Sequence, residues 1–306
     1  MCKKPSKLNN PVLQGHFYIL LATVLIGGSF IAVENLAGLI DPFSLILLRF
    51  LVSAIILAPF VLVSKKNRAM IIPSLGRGAI LSSFYAGFFV LQLIALETTT
   101  ALNTGALYTL TPLLTALLSI FFFKDKISLR QYLIFFVAAI STCGVIFKGS
   151  LDLLLSFSLN NGDLVFFASM FLMAFYSIFL KTLQRDEKPI VMVFSILLGG
   201  SFWMAIILLI FDIPLNWHLV KGEFAVNIAY LIVMTTLFTL YLYQKATTVL
   251  NPKIIMSYTY INPAVVAILV SVLSDVNLGF KVWFFIVISC MVTVLLQYIL
   301  HKEKKI

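Results

Sequence analysis

Charge is what this 306-residue chain has least of: Asp, Glu, Lys and Arg together make up 11% of it, with 12 acidic residues against 22 basic ones. A soluble globular domain carries about 25% charged residues, so an ordinary water-covered surface is excluded. Cysteine and histidine are equally sparse, at three each. Three cysteines cannot all pair, and Cys143 and Cys290 fall inside apolar runs, where a thiol packs as a small hydrophobe. His16, His218 and His301 stand far apart, with no HExxH or other metal-ligand spacing. There is no Walker-type phosphate loop, no GxSxG elbow and no pair of aspartates inside an apolar run. The expectation is a chain that is not an enzyme, with no catalytic residues, cofactor, metal site or ATPase partner.

Apolar residues fill the space left by charge. They make up 61% of the chain, Phe alone accounts for 28 residues, and mean hydropathy is +1.06. Uncharged runs are expected as spans at 15–33, 43–63, 78–97, 101–123, 129–147, 162–182, 189–211, 224–246, 254–274 and 278–299. Each is close to the roughly 20 residues a helix needs to cross a bilayer. In lipid the backbone must satisfy its own hydrogen bonds, and the runs lack the alternation of barrel strands. The fold class is therefore an all-α integral membrane protein of ten transmembrane helices. Lys3, Lys4 and Lys7 before the run Phe17 to Val33 resemble a signal peptide, but no small-residue cleavage site follows, so the run is read as an uncleaved first helix.

The basic residues are not a nucleic-acid footprint, because they sit in the gaps between runs. Alternating the gaps between two sides places eighteen of the 22 on the side of the N-terminus. The other side receives Lys148, Lys221 and Lys281, and Arg49 alone falls within a span. Basic residues are retained in the cytoplasm. Both termini, the tails 1–10 and 301–306, are thus expected there, in a plasma membrane of the bacterial inner-membrane kind.

The chain also echoes itself. Gly15 recurs as Gly162, Thr99-Thr100-Ala101-Leu102-Asn103 as Thr247-Thr248-Val249-Leu250-Asn251, Pro112 as Pro263, and Cys143 as Cys290. These matches divide the chain into five-helix halves, 11–148 and 156–300. Five crossings are odd, so the second half enters from the opposite side. Inverted repeats mark secondary transporters, whose substrate site lies near the midplane where the halves meet.

Candidate site residues follow from what such a site needs. Pro112 and Pro263, each inside a span, break the helix ladder and free the carbonyls of Tyr108 and Thr259; at membrane depth these need a protein group or cavity water. Thr104, Tyr108, Thr111 and Thr115 form a stripe on the fourth span, and Thr236, Thr239, Tyr243 and Thr247 one on the eighth. Tyr85 and Gln92 share a face of the third, while the ninth carries Ser257, Tyr258, Thr259, Tyr260 and Asn262 before its proline. The substrate-binding candidates are Tyr85, Gln92, Tyr108, Thr111, Tyr243, Tyr260 and Asn262. Threonines also serve as packing glue at roughly 0.6 kcal/mol per bond, and both readings stay open. Trp203 and Tyr241 could cage an amine by cation–π contact. Arg49 inside a span costs about 2.5–3.5 kcal/mol on insertion scales, so it needs a partner. Glu34 and Glu97, at span ends, are the nearest carboxylates. Arg49 is read as an anion contact, half of a gate, or a fixed ion pair with one of them.

These features together resemble the drug/metabolite transporter superfamily, in its EamA-type branch. The resemblance rests on Gly27-Gly28-Ser29-Phe30, Leu48-Arg49-Phe50, the small-polar stretch Ala101 to Pro112 leading into Leu113-Leu114, Gly162-Asp163-Leu164, and Asn262-Pro263-Ala264-Val265-Val266. The family's glutamate after the fourth and ninth spans is absent; Lys124-Asp125-Lys126 and Ser274-Asp275-Val276 stand there. The resemblance implies a carrier of small metabolites working by alternating access around a cavity lined by the third, fourth, eighth and ninth spans. The expected cargo is an amino-acid-like or amine compound, exported with or without a coupling proton. A channel, a lipid flippase and an importer of nucleotide-like metabolites are the alternatives. The partners expected are a small-molecule substrate and the lipid bilayer.

Overall fold

The computed structural model describes residues 11–124, 128–150, 152, 159–273 and 278–303. Asp125, Asp275 and the tail 1–10 lie outside these residues. Among the described residues all regular structure is helical. Eight helices are long and apolar enough to cross a membrane: Pro11–Glu34, Pro42–Leu62, Lys65–Leu96, Ala101–Phe123, Asn161–Thr182, Pro189–Ile210, Glu223–Thr247 and Pro252–Leu273. Two more, Leu129–Ile146 and Phe280–Glu303, carry shorter apolar stretches and stand fifth and tenth in order. Ordinal numbers below refer to these ten spans.

Local chemistry sets the helix starts. Asp41 accepts from the amides of Phe43 and Ser44 with Pro42 in the first turn, where a missing N–H costs nothing. Ser64, Thr100 and Ser128 accept from the amide three residues on. Asn160 and Asp163 form a reciprocal capping box at the sixth span. The basic segment 65–77, expected from the sequence as a gap between spans, is instead the opening stretch of a 32-residue third span. At 1.5 Å per residue that helix runs about 48 Å, beyond a hydrocarbon core of about 30 Å. Charge kept these residues out of the membrane and said nothing against helix, which Ser64 then nucleates.

Outward faces are greasy and the interior is polar in places. Phe60, Phe121, Phe136, Leu209, Phe280 and Val294 are exposed, whereas Arg49, Gln92, Thr111, Thr236 and Asn262 are fully buried or nearly so. A water-soluble protein would reverse that arrangement.

Contacts between the halves are reciprocal. The second span packs on the seventh, the fourth on the ninth, and the fifth on the tenth, each pair being repeat-equivalents. Off those pairs, the third packs on the sixth as the first does on the eighth, and the fourth on the sixth as the first on the ninth. Repeat-related glycines follow the same exchange. A Cβ on Gly15 would meet Val249 and Leu250, whereas one on Gly162 would meet Ala95, Thr98 and Thr99. A two-fold relation between halves produces this pattern.

Span ends also meet consistently with the alternating count. Arg77, at the end of the basic stretch of the third span, pairs with Glu187 in the loop after the sixth, and Lys181 donates to the Thr247 carbonyl at the end of the eighth. At the opposite end Thr99 donates to Asp163, and Glu34 accepts from the amide of Ala101. The third and seventh spans approach closest through small residues: Ser74 and Ser195 hydroxyls are 2.6 Å apart, and a Cβ on Gly78 would sit 2.5 Å from the Ser195 backbone.

Candidate functional site

The two prolines shape the middle of the bundle. Before Pro112 the fourth span tightens into a 3-10 turn at Tyr108–Leu110, and before Pro263 the ninth does so at Tyr258–Ile261. These turns pack against each other. Ser289 on the tenth span donates to the Tyr260 carbonyl at 2.8 Å, one of the acceptors the irregular turn exposes. The eighth span contains a wider irregularity, a π-helical stretch at Leu231–Phe238.

Beside this region lies an enclosed cavity lined by six spans. The first gives Ile26, Ser29 and Phe30, the second Arg49, the third Tyr85, Phe88, Phe89 and Gln92. The fourth gives Tyr108, the sixth Met173 and Tyr176, and the eighth Thr235, Thr239, Leu240 and Tyr243. Only about 20 Å³ is open to the centre of a water molecule, room for one water and for no metabolite. Both halves contribute, and the walls are largely aromatic. Tyr85 stacks on Phe50 at 5.8 Å between ring centroids and meets Phe89 and Tyr176 at 4.8 Å each. Tyr108 lies edge-on to Phe30 at 5.6 Å. The hydroxyls of Tyr176 and Tyr243, both on the cavity wall, are buried without a hydrogen-bond partner.

Arg49 is the charge in this chamber, with 0% of its surface exposed. Its Nε donates to Thr236 Oγ1 at 2.5 Å and its Nη2 to Thr235 Oγ1 at 2.9 Å. The guanidinium carbon lies 4.0 Å from the centroid of the Phe89 ring, a cation–π contact. Nη1 has no partner, and neither has Gln92 Oε1 or Tyr176 Oη. Thr235 and Thr236 are neighbours within the π-helical stretch, and the forked guanidinium spans both hydroxyls.

The carboxylate partners expected for Arg49 are elsewhere. Glu34 caps the start of the fourth span through the Ala101 amide at 3.0 Å, and Glu97 is exposed at the end of the third. Among the described residues the salt bridge is Arg77–Glu187, not one involving Arg49. Polar hydroxyls and a ring face thus replace the ion pair. Both glutamates are drawn to span ends because water or a helix N-terminus is a cheaper home for carboxylate than the core.

Tyr85, Gln92, Tyr108 and Tyr243 come together with Arg49 in the cavity, whereas Thr111, Tyr260 and Asn262 do not line it. Contrary to the expected set of lining spans, the ninth contributes nothing to its walls, and the first, second and sixth do. Tyr260 packs between the fourth, fifth and tenth spans with Ala116, Ile134, Phe135 and Leu296. Thr111, Thr115, Thr259 and both amide atoms of Asn262 are buried without partners on the two kinked spans. Trp203 donates to the Ala79 carbonyl at a half-exposed position, and Tyr241 lies 5.0 Å from Lys245, so neither joins an amine cage in the chamber. Tyr176 and Thr235 escape sequence reasoning. Tyr176 stands on a span without a polar stripe, and Thr235 lies outside the stripe Thr236, Thr239, Tyr243 and Thr247 read on the eighth span. The Thr-Thr pair opposite a lone intramembrane arginine was the signal available for the second.

A family model for EamA-like transporters matches residues 13–147 and 160–298. The uncharacterized transporter YyaM of Bacillus subtilis (strain 168) is 32% identical over 104 residues, covering 34% of this chain and 34% of that protein. The match therefore spans about a third of that relative's length. One solved crystal structure superposes with a TM-score of 0.66 over 93% of each chain at 17% identity, which is a likeness of fold.

Proposed function

The chain belongs to the EamA-like transporter family, and from that premise we propose that it is a secondary carrier moving an amino-acid-like or amine metabolite by alternating access, in the direction of export. Membership itself carries the coarser statement: this is a multi-pass membrane transporter of small molecules and not an enzyme. The halves, 11–148 and 156–300, rock about the axis that the second–seventh, fourth–ninth and fifth–tenth pairs define. Rocking opens the chamber alternately to each side, and the 3-10 and π turns are the places where the backbone ladder yields most easily. Transport is facilitated or linked to a proton, and both termini lie in the cytoplasm of a bacterial cell, beneath its inner membrane.

One observation carries this reading: an enclosed chamber at the interface of the halves, walled by aromatic rings and a charged side chain from several spans. With space for one water, the chamber admits cargo only once the halves have moved apart. A channel would need a continuous path; importing a nucleotide-like metabolite would need more cationic groups than Arg49 alone. Purified protein in liposomes preloaded with candidate metabolites tests the reading. A carrier accelerates uptake of labelled substrate when unlabelled substrate waits on the far side, and a pore does not. Flux that rises linearly with concentration, without counterflow, refutes it.

A further inference from the structure

We propose that the group recognised in the chamber is a carboxylate, held by Arg49, so that the cargo is a small carboxylate-bearing compound with an apolar or aromatic body and not an amine. The inference rests on the carrier reading and narrows it. The lining includes one cation and no aspartate or glutamate. Arg49 is completely buried and its two bonded nitrogens end on neutral threonine hydroxyls, leaving the positive charge without a counter-ion. A permanently buried, uncompensated guanidinium is costly, and such residues face an occupant or a cavity in membrane proteins.

Arg49 Nη1, Tyr176 Oη and Tyr243 Oη are buried in the wall of the same cavity with hydrogens to donate and no acceptor, and Gln92 Oε1 is an acceptor there without a donor. A planar carboxylate offers two acceptor oxygens to such donors and supplies the missing charge. Phosphate would bring a second negative charge with no second cation to meet it. A bare ammonium would stand beside Arg49 with no carboxylate to offset the repulsion. Around the charged spot Phe30, Phe88 and Phe89 offer ring faces and edges to an apolar body.

The test holds the body constant and changes its head. Full-length protein in detergent is titrated with phenylacetate, phenylalanine, phenethylamine and phenyl phosphate, with hexanoate as an aliphatic carboxylate and chloride as the control anion. Binding is read by thermal shift and counterflow in liposomes. Phenylacetate, phenylalanine or hexanoate should raise the melting temperature, and phenethylamine should not. Arg49→Met should weaken the carboxylate about 10- to 100-fold, the loss of one charge-assisted contact, while Arg49→Lys retains part of it. If Arg49→Met does not fold, the wild-type preference for carboxylate over amine decides alone. The proposal is overturned if phenethylamine binds and no carboxylate does, if no member of the carboxylate set binds, or if chloride gives an equal shift. Counterflow of phenethylamine alone leaves the carrier standing and removes the carboxylate. Arg49-dependent carboxylate binding without counterflow does the reverse.

Discussion

The bridge between Arg77 and Glu187 ties the basic stretch of the third span to the loop after the sixth, and so ties one half to the other. Two parallel bonds of 2.9 Å join the guanidinium to both carboxylate oxygens, and Arg77 Nη1 also reaches the Leu183 carbonyl at 2.9 Å. The Arg77 side chain is 19% exposed and that of Glu187 only 2%. Exposed pairs contribute roughly 0.2–1 kcal/mol, while breaking a buried pair from one side costs about 3–5 kcal/mol. This pair lies between those limits and nearer the second on the carboxylate side. Arg77→Met leaves Glu187 with the Arg185 amide at 3.3 Å, and should cost about 3 kcal/mol. Glu187→Met leaves the wetter partner behind and should cost about 1–2 kcal/mol. The double variant should then recover a coupling of about 2 kcal/mol, a factor of about 30 in an equilibrium constant. Denaturant unfolding in a mild non-ionic detergent measures each corner of the cycle. Because the carboxylate is buried, the coupling should survive about 1 M salt, where the Debye length is about 3 Å. In the alternating-access reading proposed above, opening this end breaks the bridge, so both variants should also raise labelling of a cysteine placed at Ser74 by a water-soluble maleimide. Additive single variants, within about 0.5 kcal/mol, would refute the reasoning.

Other positions give sharper structural contrasts. Gly78→Ala would push a Cβ to 2.5 Å from the Ser195 backbone and should destabilise by about 1–3 kcal/mol in the same unfolding assay, with Ser83→Ala on the exposed face as a silent control. Asp163→Ala removes the capping box and the bond from Thr99, and should cost about 2 kcal/mol by denaturant midpoint. Asn262→Leu replaces a buried amide whose oxygen and nitrogen both lack partners; it should raise stability by about 1 kcal/mol, and a loss instead would reveal a partner for that amide. Tyr108→Phe and Tyr243→Phe should leave stability within about 0.5 kcal/mol and lower counterflow about tenfold, the scale of one hydrogen bond to cargo.

How much of this was written in the linear chain differs from residue to residue. The span count was legible because partition into lipid depends on composition over about 20 residues, whatever those residues later touch. Pro112 and Pro263 marked the tightened turns for an equally local reason, since a missing N–H acts on its own helix. Tyr85 and Gln92 could be paired because seven residues make nearly two turns. Segment 65–77 reads as a gap between spans, because charge measures exclusion from lipid and not helix formation. Thr111, Tyr260 and Asn262 share the polar character of the chamber residues, yet lie outside its walls, Tyr260 among the fourth, fifth and tenth spans.

Composition and order of residues thus decided the environment of this chain, its number of crossings and the doubling of its halves, because each follows from short-range solvation or simple parity. Folding in three dimensions decided what surrounds Arg49. Its neighbours Thr235, Thr236 and Phe89 lie 187 residues away at most and 40 at least, on two other spans. No local rule reaches that far: which hydroxyl meets which nitrogen depends on how two half-bundles settle against each other.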